Sequence, residues 1–221
     1  IQAENDDGDL AEMRDGVFEG LGLARADQEL VDANLRVVCI DDRAGDAFLT
    51  AFRRLVESEH PDIVIVDPLF AYLGGDPSKA ELVTPFLRNG VNPVLHRNRC
   101  GLIVVHHIPK PVRGEQRNGR RPAVNGSTNG NAYGYFGAAD LVNWSRAAIS
   151  LTPVEERVYE LRFVKRGVRV GLTDRDGQRT NTVLIAHSQR SICWVPADAA
   201  PAAPFRWPML DFTEPSGIER G

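Results

Sequence analysis

The chain has 221 residues, is 43% apolar and 25% charged, and carries 26 Lys and Arg against 30 Asp and Glu, for a net charge of −4. That suits one large globular domain, or one with a small appendage, with enough length to bury a real core. It excludes a protein that coats nucleic acid through bulk charge, but not one with a local basic patch.

No apolar run approaches the ~20 residues that span a bilayer, and no secretory signal opens the sequence. Cys39, Cys100 and Cys193 lie far apart among apolar neighbours. They read as buried thiols of a reducing cytosol rather than a disulfide frame or a zinc site. The first residues, Ile1-Gln2-Ala3-Glu4, read as the end of a strand whose beginning is absent.

In chain order, residues 6–22 are expected to be helical. Asp6 or Asp7 caps the segment, Leu10, Met13, Val17, Phe18 and Leu21 recur at helical spacing, and Gly22 stops it. A short helix over 26–33 and a buried strand over 35–40 follow. Residues 46–59 form an amphipathic helix with Phe48, Ala51, Phe52, Leu55 and Val56 on one face. Residues 63–66 (IVIV) are a buried strand ending at Asp67-Pro68. A helical stretch over 78–99 must break or kink at Pro85, Gly90 and Pro93. Residues 102–105 (LIVV) are a further buried strand, ending at His106-His107.

Strands and helices alternating at this spacing imply right-handed crossovers and a parallel sheet. Continuous apolar strands imply helices on both faces. Ligands of such sheets bind at the carboxyl ends of the strands, which directs attention to Glu4, Asp41, Asp42, Asp67, His106 and His107.

Beyond His107 the texture changes. Residues 108–131 form a long loop rich in Pro, Gly and Asn. Five cations (Lys110, Arg113, Arg117, Arg120 and Arg121) fall within twelve residues there, against the single acid Glu115. A helix over 129–142 leads to strands over 144–151, 158–165, 182–187 and 191–195. The DRDG turn at 174–177 makes this half antiparallel. Residues 196–221 are a Pro/Ala-rich tail beyond a core of 1–195.

Several residues invite chemistry. Asp67, held rigidly at a strand tip, suits Mg²⁺ held through water, or a turn cap. Glu4 at the adjacent tip suits a base for an attacking water, or an exposed acid beside Asn5, Asp6 and Asp7. Only one of His106 and His107 can face a given site, because adjacent strand residues point to opposite sides. That one suits a phosphate sensor, or a structural histidine. The basic loop suits phosphate-backbone contacts, or a solvated surface. Arg146, Lys165, Arg166 and Arg169 suit arginine-finger roles, or surface cations. The run GEQRNGRR at 114–121 matches half of a phosphate-binding loop, but Arg120 and Arg121 replace its Lys and Ser/Thr. No G-x-x-x-x-G-K-[ST] occurs in the sequence.

The order of these features resembles the RecA-like hexameric helicases of the plasmid RepA type and their relatives among phage and mobile-element replication ATPases. The resemblance covers about residues 1–172. It rests on QAENDDGDLAEMRDGVFEGLGL, PDIVIVDPLFAYLGGD, GLIVVHHIPK, GST followed by AADLVNWSRAAISL, and RFVKRGVRVG. It implies a RecA-like, mostly parallel sheet flanked by helices, with antiparallel strands added at the C-terminal side. It implies ATP and Mg²⁺ as cofactors, and a ring, expected to be hexameric, that holds single-stranded DNA in its pore and couples ATP hydrolysis to DNA unwinding or translocation in replication.

Residue by residue, Glu4 matches the catalytic glutamate and Asp67 the Walker B aspartate on Mg²⁺. His107, or else His106, matches the γ-phosphate sensor. Gly126-Ser127-Thr128 matches the Gly-Ser-Ser after the DNA-binding loop. Arg146 matches the arginine finger to the next subunit, and Lys165 and Arg166 a Lys/Arg pair also used in trans. The resemblance places DNA at Lys110, Arg113, Arg117, Arg120 and Arg121. Two departures stand out. Pro68 follows Asp67 where an acid or Thr/Ser is common, and the phosphate-binding strand–loop–helix is missing. The resemblance places that unit just N-terminal to the Glu4 strand, in ~30–50 residues expected to be absent from this sequence. Without its backbone nest and lysine, this chain is expected to bind ATP weakly and not to hydrolyse it. A recombinase-type ATPase and a non-hydrolysing RecA-fold scaffold are the competing readings.

Overall fold

The computed structural model describes residues 1–76, 78–107, 139–174, 176–189 and 191–197. Helix α1 (Asp7–Leu21) starts where Asp6 accepts a hydrogen bond from Asp9 N and ends at Gly22, which adopts the left-handed conformation (φ 61°). Helix α2 (Arg25–Asn34) follows, then α3 (Gly45–Glu59). Strand β1 (Ile63–Val66) leads into the short helix α4 (Phe70–Leu73).

The stretch expected to kink does so in three pieces. Helix α5 (Ala80–Pro85) passes into a π-helical turn (Phe86–Val91), and that into helix α6 (Asn92–Asn98). Neither Pro85 nor Pro93 has an N–H to donate to the preceding turn. The winding widens between them, so that Asn92 N reaches back to Leu87 O. Gly90 lies in this turn because Leu49 of α3 presses there; a Cβ would stand 2.5 Å from a Leu49 methyl.

Strand β2 (Gly101–Val104) pairs in parallel with β1, Ile63 opposite Gly101 through Val66 opposite Val104. The sheet is extended on its other side by single parallel bridges from Gln2 to Asp67 and to Cys39. Gln2 N donates to Val38 O and Ile40 N to Gln2 O, each at 3.0 Å, and Asp67 N donates to Ile1 O at 3.0 Å. The spatial order is therefore 38–40, 1–3, β1, β2. The strand expected over 35–40 keeps only its last three residues in this pairing.

Helix α7 (Ala139–Trp144) connects to a four-stranded antiparallel sheet ordered β3 (Ala148–Glu155), β4 (Val158–Lys165), β5 (Thr182–His187), β6 (Trp194–Pro196). The protein is thus mixed α/β, with a parallel and an antiparallel sheet. Leu141 of α7 enters the main core, and Trp144 Nε1 donates to Asn92 Oδ1 of α6 at 2.9 Å.

The core lies on one face of the parallel sheet. Val64 and Val66 meet Phe48, Phe52 and Val56 of α3, Tyr72 of α4, and Leu87 and Val91 of the π-turn. The Phe48 ring, 1% exposed, stacks on Tyr72 at 4.2 Å and lies 6.0 Å from Phe86. Helices on both faces were expected, and here the structure differs. Ile63 is 60% exposed and Ile65 and Ile103 about half exposed, so the opposite face is open among the described residues. Branched residues stand at every position of β1, where they suit an extended backbone.

The apolar stripe of α1 buries only Phe18. This helix lies against residues 191–193 instead, where Gly20 leaves room for Ser191 and Cys193. The cysteines also depart from expectation. Cys100 is buried, but Cys39 is exposed and Cys193 half-buried, all as free thiols.

Because Phe48 joins three elements, Phe48→Ala is expected to lower stability by about 3–5 kcal/mol, read as a fall in the denaturation midpoint. Ile65→Thr on the open face should change it by less than about 1 kcal/mol.

Candidate active site at the strand tips

The strand order creates a specific place for a ligand. From 1–3 the chain goes to 38–40 on one side, then crosses back to β1 on the other. Connections leaving two adjacent strands in opposite directions open a crevice at their carboxyl ends, where ligands of open α/β sheets bind. The residues flanking this crevice are Glu4 and Asp67.

Glu4 is held through its backbone by a side chain that sequence reading passed over. Gln2 is buried, and its Oε1 accepts hydrogen bonds from Glu4 N at 2.9 Å and Asn5 N at 2.8 Å. Its Nε2 donates to Asn5 O at 2.7 Å and also contacts Cys39 Sγ. The Cys39 thiol in turn donates to Asn5 O at 3.2 Å. One amide therefore satisfies the turn carrying Glu4 and ties it to the neighbouring strand tip. The only sequence signal was a polar residue inside a strand end.

His107 stands between the two acids. Its Nε2 is 3.9 Å from Glu4 Oε2 and 3.9 Å from Asp67 Oδ1, with all three side chains about half exposed. These are ion-pair distances, too long for hydrogen bonds. His106 points the other way, its ring edge-on to Phe70 at 3.8 Å. The alternation of adjacent residues at the strand end separates the two. Of the other tip acids, Asp41 is exposed and Asp42 pairs with Arg43 at 3.2 Å.

Tyr72, on α4 just after the Asp67 tip, is wholly buried. Burial pushes its phenol up to about 12, reinforced by the negative charges of Cys39, Asp67, Asp41 and Glu4. The Tyr72 hydroxyl and Asp67 Oδ1 are both buried atoms with no hydrogen-bond partner among the described residues. An exposed-edge carboxylate with one inner oxygen suits a hard cation that takes oxygen ligands. No group of three His, Cys, Asp or Glu able to hold a metal occurs among the described residues. A divalent cation held there by Asp67 alone would keep several of its waters.

The remaining expected residues lie elsewhere. Arg146 is exposed between α7 and β3. Arg166 is exposed with φ 62°, at the start of a 3₁₀ turn (Gly167–Val170). Lys165 is engaged: its ammonium donates to Val142 O at 2.7 Å, Asn143 O at 3.1 Å and Ser145 O at 2.5 Å. These are carbonyls at the end of α7, where a cation is favoured. Lys165 is thus a strut between β4 and α7, which is not the reach toward a neighbour expected of it. Lys110, Arg113, Arg117, Arg120, Arg121 and the Gly126-Ser127-Thr128 run lie outside the described residues.

Gln2→Leu strands two backbone N–H groups and is expected to cost about 1–3 kcal/mol. It should also raise the amide hydrogen exchange of Glu4 and Asn5 selectively, measured residue by residue. Lys165→Met removes a charged donor from three carbonyls, with an expected cost of about 1.5–3 kcal/mol in denaturant unfolding. No protein-family model matches the chain and no curated protein matches it.

Proposed function

We propose that this chain is the nucleotide-handling core of a RecA-like ring ATPase that translocates along or unwinds DNA during replication. The observation that carries the reading is the convergence of Glu4, Asp67 and His107, from three different strand tips, on one crevice at the point where the strand order reverses. Each signal is weak alone. Their meeting within 3.9 Å of one imidazole gives an acid for water, an acid for a cation and a proton-bearing ring for phosphate in one place.

In this reading Glu4 orients and deprotonates the attacking water. Asp67 holds Mg²⁺ through water, and the cation when bound neutralises charge on the polyphosphate. His107 donates a hydrogen bond toward the terminal phosphate. Its place between two carboxylates lets it register the arrival of a third anionic group. Arg146, exposed at the edge of the antiparallel sheet, reaches the nucleotide of a neighbouring subunit, with Arg166 next to Lys165, which pairs with Ala148 across β3 and β4. Single-stranded DNA runs along Lys110, Arg113, Arg117, Arg120 and Arg121 in the centre of a ring of six, bound through its phosphates.

A second reading has one observation in its favour. The sequence contains no G-x-x-x-x-G-K-[ST], and the β- and γ-phosphates need such a nest and lysine to be held tightly. A RecA-fold scaffold that binds nucleic acid without turnover would need none.

Two measurements on the purified chain decide. Mg²⁺-dependent ATP binding, weak in the wild type, should be lost in Asp67→Asn and retained in Glu4→Gln; equal binding by all three removes the nucleotide reading. Arg117→Ala, Arg120→Ala and Arg121→Ala together should weaken binding to single-stranded DNA. They should also flatten its log–log salt dependence by about 2, at ~0.7 per phosphate contact. An unchanged slope removes the DNA role of the loop.

A further inference from the structure

Two buried polar atoms without hydrogen-bond partners among the described residues are found at the same end of the same sheet: Asp67 Oδ1 and the Tyr72 hydroxyl. Buried polar groups are nearly always paired, and each exception calls for an explanation such as an ordered water or an ion. Either atom left dry costs about 1–3 kcal/mol.

The position of Tyr72 is tightly constrained. It lies five residues after Asp67, on the first turn beyond the strand, with Tyr72 N donating to Leu69 O at 3.1 Å. Its ring is stacked on Phe48 at 4.2 Å with 20° between planes, so it cannot swing away. The acidic groups whose charges act on its hydroxyl are Cys39, Asp67, Asp41 and Glu4, the tips of three adjacent strands. This wholly buried phenol, stacked on Phe48 and five residues beyond Asp67, carries a hydroxyl without a hydrogen-bond partner among the described residues, which core packing alone does not account for. A phenylalanine would fill the core without the cost of an unpartnered hydroxyl.

We propose that Tyr72 is a positioning residue for Asp67: one bound water accepts from the Tyr72 hydroxyl and donates to Asp67 Oδ1, fixing the carboxylate so that its other oxygen faces a divalent cation carried by a nucleoside polyphosphate. The inference rests on the nucleotide reading above and adds to it the group that orients the metal-binding acid. Partners that orient a metal-binding carboxylate tune affinity by about 10–100-fold. The hydroxyl of Tyr72 is therefore expected to govern the cation and not the fold.

The test uses the whole chain with Mn²⁺ as the probe, followed by water-proton relaxation with and without ATP, in wild type, Tyr72→Phe and Asp67→Asn. Tyr72→Phe keeps the ring on Phe48 and removes one oxygen. It should weaken Mn²⁺–ATP binding about tenfold, leave metal-free ATP binding unchanged, and leave the melting temperature unchanged or higher. If Asp67→Asn weakens Mn²⁺–ATP binding and Tyr72→Phe does not, the inference is overturned and the nucleotide reading stands. If Tyr72→Phe lowers the melting temperature and weakens metal-free binding equally, the hydroxyl is only structural and the inference is again overturned. If neither variant changes Mn²⁺–ATP binding, or the wild type shows none, both the reading and the inference fall.

Discussion

The site depends on the double pairing of Gln2. Its backbone joins the tip of β1 on one side and residues 38–40 on the other. Its side chain closes the turn that carries Glu4. Strand pairing alone would set the height of Glu4 relative to Asp67, but not its direction, because a chain leaving a sheet is free to turn. The amide removes that freedom with two accepted and one donated hydrogen bond to Glu4 and Asn5. Such a side chain competes with no ladder bond, since its strand has ended. Burial of a polar group is tolerated here because nearly all its hydrogen-bonding capacity is used.

A second constraint acts from below. Among the described residues the parallel sheet is packed on one face, against an aromatic stack in which Phe48 contacts Tyr72 and Phe86. This stack links α3, α4 and the π-turn at the end of the sheet where the acids gather. The crevice thus has a stiff floor and a polar, half-exposed rim. Two carboxylates and an imidazole stand half-exposed at the rim.

Much of this was legible in the sequence because it followed from local pattern. The bounds of β1, β4 and β5, the caps of α1 and the breaks at Pro85 and Pro93 follow from branched runs, Asp6, Gly22 and missing N–H groups. The strand tips also named the residues that meet, since parallel strands bring their ends together whatever their order. Tertiary facts were less visible. The open face carrying Ile63, Ile65 and Ile103 has the same composition as a covered one. The exposure of Cys39 depends on where the strand stops. Gln2 and Tyr72 carry no motif: one reads as a stray polar residue and the other as a core aromatic. Their importance arises from which backbone groups and charges lie beside them in space.

Lys165 shows why a charge near the end of a strand needs its neighbours before it has a role. In the chain it looks like one of several cations available to a partner. In the fold its ammonium collects three carbonyls at the end of α7. Together with the Trp144–Asn92 bond, that fixes both sides of the junction from which Arg146 projects. Under the proposed reading an arginine that stabilises charge on a neighbour's nucleotide must be held in place before the charge develops. A mobile mount would forfeit most of the gain. On that reading the lysine would serve the reaction without touching it, by holding the segment from which the exposed Arg146 leaves.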